Sequence, residues 1–259
     1  MKIEFISDPQ SLSMNEHWFE ISNEDHFWFR WRFDAFKKFL KEQKISFKDN
    51  LKALDIGGGT GILSSQIEAE SNWDTDIADL DINALKNVNL KRGRKLFYNI
   101  HDNDQGLQEQ YDLILLFDVI EHIKNPSMFI QDAVKHLKPG GKIVINVPAL
   151  NCFFSPYDKV MGHYRRYSKN SLSKEIRELS FKNPKYHYWG LFLLPFLIVR
   201  KIVLSFSKKS EHEIINTGFQ PPNSFVNRVF KLLGKIEYFL FRYQIIGTSL
   251  LMIAEKKQK

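Results

Sequence analysis

The segment Asp55-Ile56-Gly57-Gly58-Gly59-Thr60-Gly61 constrains this chain more than any other. It follows a short apolar run from Leu51, which reads as a buried parallel strand. It precedes a stretch of helical pattern, Thr60 to Glu70. Strand, glycine turn and helix in that order set unpaired backbone N–H groups beside a tight bend. In an open α/β sheet such a bend faces the crevice where ligands bind. Two phosphate-binding versions are excluded. G-x-G-x-x-G/A counted from Gly57 ends on Ile62, and no Gly-Lys-Ser/Thr triplet closes the loop.

The residues that follow keep the rhythm. Trp73 to Asp81 reads as a second strand, Ile82 to Leu90 as a short helix and Lys95 to Asp102 as a third strand. Tyr111 to Ile120 is a fourth, and Pro126 to Leu137 a helix with proline at its tolerant first position. Lys138-Pro139-Gly140-Gly141 is a turn, Lys142 to Pro148 a fifth strand. Ser171 to Leu179 looks helical, Tyr186 to Trp189 is a sixth strand and Gly247 to Glu255 a closing one. The expectation is a doubly wound, Rossmann-like α/β fold with a seven-stranded, mostly parallel sheet and helices on both faces. Residues 1–50 form an expected N-terminal helical, aromatic cap. Residues 51–259 form the main domain, with an insertion at about 189–244.

Composition narrows the setting. The net charge of +7 suits an anionic substrate, an acidic membrane surface or nucleic acid, or a plain lysine-rich protein. The single cysteine, Cys152, rules out an intramolecular disulfide framework and fits a cytoplasmic location. Met1 to Gln10 lacks the apolar core of a signal peptide. The longest apolar run, Gly190 to Phe206, is broken by Pro195, Arg200 and Lys201, so no spanning helix is expected. It reads either as a lid or buried connection, or as an interfacial segment at the inner face of a membrane, helped by Lys208 and Lys209.

Asp81, about twenty residues past the glycines at the end of the second strand, is the expected acceptor for ribose hydroxyls, with Ile82 beside it. Asp79 is the weaker candidate, and a helix N-cap is the competing role for Asp81.

In combination, DIGGGTG, DIADLD, YDLILLFDVIEHIKNP and LKPGGKIVINVP resemble the S-adenosylmethionine-binding core of class I methyltransferases. HFWFRWRF before the core and GHYRRYS after it resemble a bacterial branch acting on small molecules, lipids or glycans, related to ubiquinone-biosynthesis O-methyltransferases. The resemblance implies S-adenosyl-L-methionine as cofactor, held by Asp55, Gly57, Gly59, Gly61, Asp81 and Ile82. It further implies Asp102 at the adenine, Phe117 against the cofactor, and Arg30 or Arg32 at the methionine carboxylate.

Methyl transfer is a displacement that needs alignment, and a hydroxyl acceptor gains from a general base. Two clusters offer one. Asp118, Glu121 and His122 share a face if a helical turn starts at Asp118. In ubiquinone-type enzymes a similar set is associated with a divalent metal; here aspartate shortens the reach, and the expectation is no metal, with Glu121 and His122 bracing the loop. In the second cluster, His163 is the preferred base and Arg165 and Arg166 suit an anionic acceptor, against a plain surface role for that stretch. The expected reaction is methylation of a small, lipid-linked or glycan acceptor, on oxygen. An RNA methyltransferase is the alternative, disfavoured because Phe117-Asp118-Val119-Ile120 stands where amino-methylating enzymes carry N/D-P-P-Y/F/W. A non-catalytic S-adenosylmethionine-binding protein is the third reading.

Overall fold

Apolar runs buried on both faces assemble a mixed eight-stranded sheet. The computed structural model describes residues 2–8, 23–206, 214, 223–241 and 244–258. The strands are β1 (Ile3–Phe5), β2 (Lys52–Ile56), β3 (Asp74–Asp79), β4 (Lys95–Phe97), β5 (Tyr111–Phe117), β6 (Leu137–Pro148), β7 (Phe181–Trp189) and β8 (Ser249–Lys256). Their order is β1-β4-β3-β2-β5-β6-β8-β7, with β8 antiparallel to both neighbours. The Rossmann-like fold class is as expected, with one strand more than the seven predicted. The extra one, β1, pairs with the edge strand β4 over three positions, Ile3 to Lys95 through Phe5 to Phe97.

Several boundaries moved for local reasons. The Lys138–Gly141 turn is absorbed into β6 as an irregularity: Tyr111 pairs with Leu137, yet Leu113 pairs with Lys142. Strand β7 starts five residues before the expected Tyr186, with Pro184 at a register shift between Lys182 and Lys185. Strand β4 is shorter than expected. It ends at Phe97, and Ile100–Asp102 is a 3-10 turn capped by the Asn99 side chain.

The helices are α1 (Phe27–Glu42), α2 (Ile62–Glu70), α3 (Ile82–Asn87), α4 (Pro126–Lys135), α5 (Pro156–Val160), α6 (Lys169–Ile176), α7 (Leu194–Phe206) and α8 (Ser224–Leu240). Helix α1 begins at His26, whose Nδ1 accepts from Trp28 N at 3.2 Å. Its Phe29, Phe33, Phe36 and Leu40 recur at helical spacing and are buried. Phe33, Phe36, Phe39 and Leu40 share one core cluster with Ala53, Leu113, Leu115 and Val144 of the sheet. Burial of each such side chain contributes about 2 kcal/mol. Helix α8 lies across α1: an added Cβ at Gly234 would stand 2.8 Å from the Trp31 ring. Buried Glu237 accepts from the Trp31 indole at 3.3 Å, Gly190 N at 2.7 Å and Phe192 N at 2.9 Å. These bonds tie α8 to α1 and to the end of β7.

His187 of β7 is buried and stacks on Phe39 at 5.7 Å. Burial, and less so the Lys38 cation, pushes its imidazolium down to about 4. The unfolded chain therefore binds this proton more readily, and the stability His187 contributes above pH 6.5 is lost as pH falls towards 4. Urea titrations of His187→Leu at pH 7 and pH 4 should show an acid loss smaller than the parent's by up to about 3 kcal/mol. An unchanged acid loss would refute this.

Candidate active site

The glycine loop turns at the C-terminal end of β2, next to β5, where open α/β sheets place their ligands. Gly57 has φ +70°, and a Cβ there would stand 2.7 Å from Val119 Cγ2, so only glycine lets loop and strand end approach this closely. Gly59, with φ +55°, donates its N–H to Asp79 Oδ2 at 2.8 Å. A cleft of about 380 Å3 opens above the loop, lined by Gly57 to Thr60, Asp79, Phe117, Arg32 and Trp28 among others.

Of the expected cofactor residues, Gly57, Gly59 and Phe117 meet in this cleft. The other six do not, each for a visible reason. Asp81 lies past the end of β3 and caps α3, accepting from Asn83 N at 2.8 Å and Ala84 N at 3.1 Å. Asp79, the candidate ranked second, is the carboxylate in the cleft; burial raises its pKa against the bonds from Asp81 N and Gly59 N. Ile82 packs against the cluster of Ile77, Leu85 and Phe97, outside the cleft. Asp102 is exposed on its 3-10 turn because β4 stops early. Arg30 points to solvent and faces Glu70 at 3.9 Å, whereas Arg32, on the opposite side of α1, lines the cleft. Gly61 caps α2 with φ +77°, and Asp55 sits buried beneath the loop, accepting from Ser64 Oγ at 2.7 Å. Burial lifts the Asp55 carboxyl to about 6.

Arg32 is buried and donates to Asp118 Oδ2 at 2.6 Å. Its guanidinium also lies over the rings of Trp28 at 4.9 Å and Phe117 at 5.5 Å. Its Nε has no hydrogen-bond partner among the described residues. Asp118 has φ +58°, so the helical turn on which the shared face was conditional does not start there. The strained conformation is held by Arg32 and by Asn146 Nδ2, which donates at 2.8 Å, while Asn146 Oδ1 accepts from the Trp189 indole at 2.9 Å.

A second chamber, of about 230 Å3, adjoins the first. Trp28, Asp118, His122 and Met161 line both. Its walls are apolar: Phe27, Tyr157, Leu193, Phe196, Leu197 and Phe230. Its polar groups are Glu121, His163, Arg166, Arg200, Thr248 and Ser249 besides the shared Asp118 and His122. His163 Nδ1 lies 3.1 Å from Asp158 Oδ1. Asp158 is wholly buried and also takes Arg166 Nε at 2.8 Å and Ser155 N at 2.9 Å. Burial alone would raise its carboxyl, but the bonds from His163, Arg166 and Ser155 hold it well below the usual range. Facing the ionised Asp158, a neutral His163 ring would carry its proton on Nδ1 and leave Nε2 as an acceptor.

Glu121 is buried, and burial together with the Asp118 charge raises its pKa well above normal. Its Oε2 has no hydrogen-bond partner among the described residues, and its backbone carbonyl accepts from Tyr164 N at 2.8 Å. The His122 ring stands edge-on to His163 at 4.7 Å, and burial, with His163 next, pushes it down to about 4. Ligand atoms of Glu121, His122 and His163 lie within 4.8 Å of one another, a spacing that could also hold a divalent cation. Arg165 leaves the chamber and donates to Lys124 O at 3.0 Å. Sequence reading missed Asp158, and missed Arg200, which lies over the Tyr157 ring at 4.3 Å.

Residues 24–190 match a family described as a methyltransferase domain. The chain belongs to that family. The methyltransferase is 27 % identical over 169 residues to an uncharacterized protein of Methanocaldococcus jannaschii, covering 59 % of this chain and 80 % of the relative. It is 31 % identical over 98 residues to a ubiquinone biosynthesis O-methyltransferase of Hydrogenovibrio crunogenus, covering 36 % of this chain and 41 % of that protein. The match thus spans about two-fifths of the ubiquinone enzyme. Among solved structures, a SAM-dependent methyltransferase from Archaeoglobus fulgidus superposes with a TM-score of 0.53 at 18 % identity, over 86 % of this chain and 94 % of that one. A phosphoethanolamine N-methyltransferase from Haemonchus contortus, in complex with S-adenosyl-L-methionine, gives 0.56 at 16 % identity over 85 % and 52 %. These structures bear on the fold alone. The expected methyltransferase family and enzyme type are those of the matched domain.

Proposed function

We propose that this methyltransferase moves a methyl group to a hydroxyl oxygen of a small, amphiphilic, anionic acceptor. One observation carries the reading: two chambers meet at Trp28, Asp118, His122 and Met161, one under the glycine loop and one around a histidine held by a buried aspartate. S-adenosylmethionine, when bound, supplies an electrophilic methyl on its sulfonium. The backbone of Gly57 to Gly59, the Asp79 carboxylate, the Phe117 ring and the unpartnered Nε of Arg32 suit its nucleoside and amino-acid ends. In this reading Asp79, not Asp81, accepts from the ribose hydroxyls.

His163 Nε2 accepts the proton that the acceptor hydroxyl loses as its oxygen gains the methyl. Asp158 orients the ring and stabilises the imidazolium that forms. The apolar walls exclude water and hold the acceptor's body, while Arg200 and Arg166 draw its anionic group. This is acceptor alignment, the main requirement of a direct displacement. The likeness to ubiquinone biosynthesis O-methyltransferases supports the choice of hydroxyl. A lipid-like acceptor accords with the apolar walls.

Radiolabelled methyl transfer to a panel of hydroxylated aromatic amphiphiles, with and without a carboxylate, tests the reading. Label is expected on oxygen, with carboxylated members preferred. Label recovered only on nitrogen or on nucleic acid would overturn it.

A further inference from the structure

Helices α7 and α8 are built inside out. Surface helices of globular proteins turn their apolar stripe inward and their charges outward. In α7 the inward stripe, Leu197, Arg200, Lys201 and Leu204, contains both of the helix's cations. Arg200 stacks on Tyr157, and Lys201 Nζ donates to the Cys152 carbonyl. The outward positions Ile198, Val199, Ile202, Val203 and Phe206 are apolar and 41 to 87 % exposed, with Ser205 the polar residue exposed beside them. Helix α8 repeats the inversion. Glu237 is the only acid in either helix, and it is buried on the inward side. Outward lie Phe225, Val229, Leu232, Ile236, Phe239 and Leu240, 38 to 86 % exposed, with exposed Arg228 and Lys235 between them.

Scattered exposed apolar residues need no explanation, but continuous stripes on two helices mark a contact surface. The charge that remains outward is only positive, which complements an anionic lipid surface. Neither helix is long and apolar enough to cross a membrane. Such helices lie in the plane of the lipid headgroups.

We propose that α7 and α8 seat the protein on an anionic lipid bilayer. The same two helices wall the second chamber: Phe196, Leu197 and Arg200 come from α7, Phe230 from α8, and the Phe196 and Phe230 rings touch at 4.8 Å. By the same proposal, an amphiphilic acceptor passes from the lipid between these two helices into the chamber. This entry route rests on the acceptor chamber proposed above; the docking does not. Lys208 and Lys209, expected from the sequence to help, lie outside the described residues.

Flotation of the full chain with vesicles tests the docking without reading methyl transfer. Vesicles of phosphatidylcholine with about one-third phosphatidylglycerol should carry the protein upward, and pure phosphatidylcholine should carry far less. The paired substitutions V199E/I202E and L232E/F239E should each cut the floated fraction by about tenfold or more. These residues touch neither chamber, so thermal melting and S-adenosylmethionine binding should stay at parental values. Wild-type protein left at the bottom of the gradient would overturn the proposal. So would variants that float like the parent, or a lipid-independent dimer that the same substitutions dissociate.

Discussion

Replacing His163 by alanine is expected to lower kcat by about 10²- to 10³-fold, while the Kd for S-adenosylmethionine stays within about twofold. The size follows from loss of a positioned base. His163 lines the second chamber and not the glycine cleft, so the donor's site is untouched. The Asp158 carboxylate keeps Arg166 and Ser155 as partners, which limits structural damage. Single-turnover assays read the chemical step, and calorimetry reads the donor. Equal loss of kcat and donor affinity would defeat the assignment. Because Glu121, His122 and His163 could instead gather around a cation, the parent enzyme should be assayed after exhaustive chelation. Retained turnover is expected; its loss, restored by a divalent metal, would recast His163 as a ligand.

The second large effect separates two neighbouring aspartates. Asp79→Ala should weaken S-adenosylmethionine binding by about 10- to 100-fold, the equivalent of losing a charged hydrogen bond worth about 1.5–3 kcal/mol. Asp81→Ala should leave that Kd nearly unchanged and instead cost about 1 kcal/mol of stability, since it removes the N-cap of α3. Asp79 also holds Gly59 N and Asp81 N, so Asp79→Asn, which retains an acceptor oxygen, should fall between parent and alanine. Calorimetry and thermal melts of the three variants distinguish the roles. A reversed pattern, with Asp81→Ala the poor binder, would restore the carboxylate first preferred from sequence.

The sheet was legible because its central strands are buried on both faces and so read as unbroken apolar runs. Strand β1 was not, since three residues carry too little pattern and their partner, Lys95–Phe97, is remote in sequence. Helical spacing could have separated the arginines. Arg32 lies three residues after Phe29 and four before Phe36, on the buried stripe, while Arg30 shares its face with Asp34 and Lys37. The same spacing marks Arg200 between Leu197 and Leu204, although its position inside an apolar run made it look like an interruption. Asp79 and Asp81 were ranked by closeness to a strand end that the structure sets at Asp79. Asp158 gave no sequence signal, because its pairing with His163 depends on a loop that brings α5 against GHYRRYS.

The glycine cleft draws nearly all of its lining from residues 28–123, with Met161 the exception, whereas most of the second chamber's lining comes from residues 148–249. On the proposed reading, the supplier of the methyl and its recipient are recognised by successive lengths of one gene. Changes accumulating in the later length can retarget the enzyme to new molecules while its fuel stays the same. Relatives that agree closely in their first half can then differ freely in what they modify.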